Sequence, residues 1–184
     1  QVEASFQRVG KAKIDLIQVH NLGDPKVQLP ILREYKQQGR IKYVGITTTF
    51  DNQYDELVRI IQTEALDFIG VDYAIDGREV EDRILPMARD KGLAVLAYAP
   101  FGRTRLFRRV GDRPLPEWAA EFDAKTWAQF FLKWVIGHPA ITATTPATSQ
   151  PKNMLDNIGG GIGRVPDEAM RRRMVAFIDA LPAA

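Results

Sequence analysis

The run Ile14-Asp15-Leu16-Ile17-Gln18-Val19-His20-Asn21 is apolar enough to form a buried strand, and its carboxyl end delivers two polar side chains, one of them among only 2 histidines in the chain. A neutral imidazole donates or accepts a proton near pH 7, so His20 at a strand tip is a candidate acid, base or electrophile. Position alone favours a plainer role, satisfying backbone groups where the strand ends. A second cluster comprises Gly102, Arg103, Arg105, Arg108 and Arg109. A glycine turn followed by guanidinium forks suits a pyrophosphate, and a solvated basic loop explains the same run equally well.

Both clusters sit in a repeating pattern. Strand-like apolar runs begin at Ile14, Ile41, Asp67, Leu93 and Ile141, each beside an amphipathic helical segment. The first four starts recur at intervals of about 26 residues and the fifth follows after about twice that, which predicts serial βα units with parallel strands. Val2, Phe6 and Val9, with Gly10 as a stop, read as the last turns of a helix, and we expect a truncated start before Gln1. The next helix should carry Pro30 early and Gly39 late, and the one after it should be N-capped by Asp51. Pro86 should kink or shorten a helix running from about Glu79 to Gly92. The long interval holds an insertion from Arg103 to about Phe122, then a helix with Trp127, Phe130, Phe131, Trp134 and Val135 on one face, ended by Gly137 and Pro139. A short helix near Pro151 to Ile158, a glycine-rich link and a final helix from Pro166 follow. The stripe Met170, Met174, Phe177, Ile178 and Leu181 on that last helix reads as core rather than as a cofactor surface.

Composition limits the function classes. With 184 residues, 45% hydrophobic and 26% charged, the chain is long enough for one sizeable core, and residues 1-184 read as a single domain. A formal net charge of +2 suggests neither nucleic acid nor a membrane surface as partner. The absence of cysteine removes thiolate chemistry, disulfides and cysteine metal sites, and no metal is implied. With no targeting segment to read, the cytoplasm is the default compartment.

Five βα-type strands fit two α/β architectures. An open doubly wound sheet would announce a nucleotide site by G-x-G-x-x-G after its first strand, and that motif does not occur. The alternative is a partial TIM-type (β/α)8 barrel of about five βα units plus a C-terminal helix, in which chemistry sits at the carboxyl ends of the strands. Those ends read His20-Asn21, Thr47-Thr48-Thr49, Asp72-Tyr73, Tyr98 to Arg103, and Thr145 to Ser149.

At these positions the chain resembles the aldo-keto reductases. The matching pieces are IDLIQVHN, QGRIKYVGIT, VLAYAPFG, LKWVIGHP and TPATSQPKNMLDN, in the family's order and approximate spacing from Phe6 to Ile158. The resemblance implies a barrel that transfers a hydride from NADPH, or less often NADH, to an aldehyde or ketone carbonyl, and it aligns the chain with the part from the fourth strand onward. It implies that His20 orients and polarises the carbonyl and that Tyr98 stacks on the nicotinamide, beside Pro100, Gly102 and Arg103. It further places Asn21, Thr47 and Thr48 at the carboxamide end, Asp156 and Asn157 at the adenine, and Thr148, Ser149, Lys152 and Asn153 at the adenosine ribose and any 2′-phosphate.

The departures carry information too. Thr47-Thr48 stand where many members have Ser-Asn, and Gly70 stands where a glutamine would complete the carboxamide contacts, so one hydrogen bond is lost. Ala147 and Asn153 replace basic residues that many members use on the 2′-phosphate, which leaves NADP against NAD open. The family's proton donor, a tyrosine coupled to an aspartate and a lysine, belongs to strands before Ile14. These 184 residues alone are therefore expected to be a poor reductase, since general acid catalysis is typically worth ~10²–10⁴-fold. Two classes follow: a reductase acting on a small-molecule carbonyl substrate, and a half-barrel that binds or self-assembles without reductase chemistry. Unpaired edges on an unclosed sheet predict a homodimer, or retention of a missing N-terminal segment.

Overall fold

The structure, a computed structural model, describes residues 1–182. Five strands form one parallel sheet in chain order: β1 (Ile14–Val19), β2 (Ile41–Thr48), β3 (Phe68–Asp72), β4 (Ala94–Tyr98) and β5 (Ala143–Thr144). The expected serial βα pattern is what forms, and every neighbouring pair is parallel. The fifth strand is far shorter than the expected run from Ile141 to Ala147. It pairs only through Leu96↔Ala143 and Ala97↔Thr144, because Pro146 has no N–H to extend the ladder.

Helices cover the outer face. They are α1 (Val2–Val9), α2 (Pro25–Gln37), α3 (Tyr54–Thr63), α4 (Ile84–Asp90), α5 (Arg105–Val110), α6 (Trp127–Ile136), α7 (Pro151–Gly159) and α8 (Glu168–Asp179). Three sequence expectations need correcting. Pro25, not Pro30, opens α2, and Pro30 lies inside the helix. Asp51 begins a short 3-10 turn and its side chain caps nothing, so α3 starts later, at Tyr54. The final helix is capped by Asp167, whose carboxylate accepts the Met170 N–H at 2.8 Å. Pro86 acts as expected, leaving a 3-10 turn at Glu79–Glu81 and a short α4. The insertion folds as α5 and a 3-10 segment at Glu117–Phe122, both of which bury apolar side chains in the core.

Alternation along the parallel strands sends Val44, Ile46, Ile69, Val71, Val95 and Ala97 outward under the helices, where all are buried. The opposite set, including Leu16, Tyr43, Phe68, Leu96 and Tyr98, lies on the inner face and stays half-exposed. Among the described residues no strand joins β5 back to β1, so the sheet is open.

The last helix is tied to the sheet by a buried polar network. The Arg171 guanidinium donates to the Tyr73 hydroxyl at 2.6 Å, to Glu81 at 3.1 Å and to the Trp134 carbonyl at 3.1 Å, and it lies over the Trp134 ring at 4.6 Å. Tyr73 in turn donates to Glu81. Because Arg171 is buried while Glu81 is partly exposed, Arg171→Met should lower unfolding free energy by about 2–3 kcal/mol, read from urea midpoints at unchanged slope. Burial holds the Tyr73 and Tyr54 hydroxyls above the ordinary tyrosine range. Raised folded values add stability below about pH 10 that is lost as pH climbs further, so urea stability should fall in alkali, and Tyr73→Phe should flatten that fall.

Candidate functional site

The carboxyl ends of β1 and β2 meet in a strained turn. After Val19 the chain enters a 3-10 turn, His20–Leu22, in which Asn21 and Leu22 have positive φ (48° and 51°), as does Asp24 just beyond it (52°). The Asn21 N–H donates to Thr47 Oγ1 at 3.0 Å, while Asn21 Oδ1 is buried without a partner. His20 is exposed at this tip. Thr47 therefore joins the histidine turn, but Thr48 does not: fully buried, it donates to Gln53 and accepts the Phe50 N–H at 3.1 Å. Strand alternation turns Thr48 under the helices, away from Thr47 and the histidine turn.

A second feature lies across the middle of the inner face. A Cβ added at Gly70 would stand 2.6 Å from the Tyr98 hydroxyl oxygen and 2.7 Å from its Cζ, so the Tyr98 ring rests directly on the β3 backbone. A Cβ at Gly45 would similarly stand 3.1 Å from Gln18 Cγ. The two glycines let Tyr98 and Gln18 cross neighbouring strands and meet, with the Tyr98 hydroxyl donating to Gln18 Oε1 at 2.9 Å. Burial raises the Tyr98 hydroxyl pKa from its usual value. Gly70 is thus more than a lost glutamine. It is the seat of the aromatic ring, a role visible only once β3 and β4 are in register.

Beyond Tyr98 the chain makes a tight loop. Ala99, Gly102, Arg103 and Thr104 all have positive φ, and Pro100 and Gly102 are buried. The arginines, for which a phosphate site and a solvated basic loop are equally good readings of the sequence, are individually engaged. Arg103 donates to Asp72 Oδ2 at 2.6 Å and Arg105 to Asp76 Oδ2 at 2.6 Å, while Arg108 donates to Thr104 and Arg109 to the carbonyls of Asp179 and Leu181. Arg103 follows Gly102 directly in the chain, and the Arg105 guanidinium lies against Gly102, 3.0 Å from where a Cβ would sit. A polar cavity of about 250 Å³ opens between these loops, lined by Asp51, Asp72, Asp76, Glu79, Arg103 and Arg105 among others. Burial raises the Asp72 pKa against the lowering effect of Arg103.

The largest concavity among those found, about 880 Å³, lies between β4's loop, α6 and α7. Thr148, Ser149, Asn153, Asp156 and Asn157 line it together with Phe101 and Trp127. Five residues expected at the adenosine are therefore brought together, whereas Lys152 is exposed outside this lining. Asp156 also has a second task, accepting Thr126 Oγ1 at 2.9 Å and Gln129 Nε2 at 2.7 Å, which fastens α7 to α6. Helical spacing puts Trp127 on one face of α6 with Phe130, Phe131, Trp134 and Val135. Its indole does pack on Phe131, with centroids 5.7 Å apart, yet it still lines the groove.

The aldo/keto reductase family matches over residues 1–173, and the chain belongs to that family. The match does not bear out the narrower placement of the chain as the family's portion from the fourth strand onward. The chain is 33% identical over 106 residues to the NADH-specific methylglyoxal reductase of Escherichia coli (strain K12), covering 54% of this chain and 32% of that protein. Aldo-keto reductase AKR11C1 from Bacillus halodurans, in its holo form, superposes over 100% of this chain and 66% of its own, with TM-score 0.74 and 21% identity. An aldo/keto reductase from Klebsiella pneumoniae in complex with NADP and acetate matches 96% of this chain and 62% of its own, with TM-score 0.77 and 22% identity. The fold is that of a partial (β/α)8 barrel, and the chain spans about two thirds of these structural relatives.

The Gly70 seat yields a direct test. Gly70→Ala should push the Tyr98 ring off β3 and break its bond to Gln18, lowering the tyrosine's titration toward the ordinary range and stability by about 1–3 kcal/mol. Tyrosine absorbance against pH, with Tyr98→Phe as reference, reads the first effect and urea unfolding the second.

Proposed function

We propose that the chain acts in reducing small aldehyde or ketone carbonyls with a nicotinamide dinucleotide. The observation that carries this reading is the convergence of Thr148, Ser149, Asn153, Asp156 and Asn157 on one groove that Phe101 and Trp127 also line, Phe101 being three residues along the chain from Tyr98. The cradle fits such a group: Gly70 leaves room for a flat aromatic seat on the inner face of the sheet, and the groove is lined by both polar and aromatic side chains. When bound, the dinucleotide supplies the hydride.

The chain's own residues divide the remaining work. The Tyr98 ring offers a planar face and the Thr47 hydroxyl a donor and acceptor at the carboxamide end, with Asn21 beside it. Arg103, at the Gly102 turn, supplies charge toward the phosphates. Asn157 and Asp156 hold the adenine. His20, exposed at its strand tip, donates to the carbonyl oxygen and orients the substrate. The five tyrosines are otherwise committed: Tyr35 to Glu3, Tyr43 against Phe68, Tyr54 and Tyr73 in buried positions, Tyr98 to Gln18. The proton for the developing alkoxide therefore comes from another group.

Lys152 outside the groove and the neutral Ala147 and Asn153 inside it favour a site that takes NADH at least as well as NADPH. The E. coli relative is described as NADH-specific, which agrees with this preference. His20→Ala should slow reduction of a small aldehyde by about 10²–10⁴-fold while leaving NADH affinity nearly unchanged, and Asn157→Leu should do the reverse, raising the NADH dissociation constant. Steady-state kinetics and NADH fluorescence titration separate the two. An unchanged rate in His20→Ala returns that residue to a structural role at the strand end.

The open sheet favours a second reading, a module that pairs its edges with another copy or another segment. Half-exposed Leu16, Tyr43, Phe68 and Leu96 on the inner face are what such pairing would cover. Light scattering on the purified chain should give a mass of at least twice 20.7 kDa, and a cooperative monomer would remove this reading.

A further inference from the structure

Lys133 is a charged side chain that neither the groove nor the histidine turn uses. It lies in α6 among Phe130, Phe131, Leu132, Trp134 and Val135, and like them it is buried, with no exposed surface at all. Its Nζ donates to the Ile162 carbonyl at 2.6 Å and to the Arg164 carbonyl at 3.0 Å. Both carbonyls belong to the link between α7 and α8, residues 160–167, of which 161–165 are exposed. Water can serve carbonyls on such a link, so hydrogen bonding alone does not call for an ammonium. Taking an ammonium out of water is costly, and burial accordingly lowers the Lys133 pKa, with Asp123 opposing that shift and Arg164 adding to it. An apolar side chain of similar volume, such as methionine, would avoid the cost. What the lysine adds is a pair of directed bonds from a core helix to a surface link.

The same face of α6 grips the carboxyl end of α7. Gln129, Leu132 and Lys133 are spaced as neighbours on one side of a helix. Gln129 donates to Asp156 at 2.7 Å; a Cβ on Gly159 would stand 2.7 Å from Gln129 Nε2, and one on Gly160 would stand 3.0 Å from Leu132 Cβ. The end of α7 therefore lies with its backbone directly on α6, and Lys133 takes hold where the link continues. Gly163, at φ 82°, then turns the chain so that the Arg164 N–H donates to Asp123 Oδ2 at 2.8 Å and its guanidinium pairs with Asp123 Oδ1 at 2.6 Å. Asn157 lines the groove from the last turn of α7, just before this link, so its place is set by where that turn is held. We propose that Lys133 is a positioning residue for the groove, pinning the link and thereby fixing the carboxyl end of α7 and the placement of Asn157. Its consequence for binding rests on the dinucleotide reading above, whereas the pinning itself does not.

Amide hydrogen exchange without any ligand reads the pinning. In Lys133→Met the amides of residues 156–164 should exchange at least tenfold faster than in the unaltered protein, while those of β1 to β4 keep their rates. No change in 156–164, or an equal change throughout the sheet, would overturn the proposal. NADH titration reads the consequence: Lys133→Met should raise the dissociation constant at least fivefold with the maximal rate of aldehyde reduction kept within twofold. The same substitution made in Asn157→Leu should add less than twofold, because its effect runs through Asn157, and a full fivefold there would count against that route and overturn the proposal. Reciprocity supplies a form that needs no variant to fold: NADH bound to the unaltered protein should slow exchange of the Ile162 and Arg164 amides, and unchanged rates under saturating NADH would also overturn it. If the unaltered protein binds no NADH, the cofactor proposal falls, and exchange in Lys133→Met alone decides this one.

Discussion

The register of β3 on β4 is the constraint on which the rest of the structure depends. Pairing Gly70 with Leu96 and Asp72 with Tyr98 decides which side chains reach the open inner face and which go under the helices. Tyr98 and Asp72 turn inward and Tyr73 turns outward, where it meets Trp134 at 4.9 Å and the Arg171 guanidinium. A slip of one residue would put Asp72 among apolar helices and Tyr73 on the inner face, dismantling the aromatic seat and the anchor of α8 together. The cost of burying Asp72 or stranding Arg171 makes that slip expensive on both faces of the sheet. Chemistry and stability are therefore specified by one hydrogen-bonded ladder.

Much of this architecture was legible in the sequence, because apolar runs at a steady interval have few solutions other than parallel βα units. Residues at strand ends could be identified for the same reason: His20, Thr47 and Tyr98 stand at or beside the carboxyl ends of their strands. What periodicity could not supply was the facing of each residue at those ends. Thr47 and Thr48 are equivalent as letters, yet alternation leaves one joined to Asn21 and buries the other against Gln53. Likewise, spacing placed Trp127 on one helical face with Phe130 and Phe131, against which it packs, but could not reveal that the same ring lines a groove.

Glycine was harder to interpret. Gly70 read as the loss of a side chain that relatives use, since a sequence shows only what a glycine lacks. The structure shows what its bareness admits, a tyrosine ring lying on the backbone and reaching Gln18 from three strands away. A signal existed in the sequence, since Gly45 and Gly70 both interrupt otherwise β-branched or aromatic strands, where glycine commonly marks close approach. It could not name the approaching group, because that group comes from strands distant in the chain.

The arginines show how burial separates residues that look alike in a sequence. Arg103 and Arg105 are two positions apart and each holds an aspartate, but their partners differ. Asp76 is 5% exposed, whereas Asp72 is 24% exposed and Arg103 itself is 60% exposed. A pair that water reaches is worth only about 0–1 kcal/mol, so Arg103 can leave Asp72 for a phosphate at little cost. Arg105 cannot, since its departure would leave Asp76 buried and uncompensated, a loss of several kcal/mol. Positive φ at Arg103 and Thr104 places the strained part of the loop on the releasable arginine, while Arg105 begins the regular turn of α5. The basic run is therefore not uniform: Arg103 makes an exposed pair that costs little to break, whereas Arg105 holds a buried carboxylate and is part of the fold.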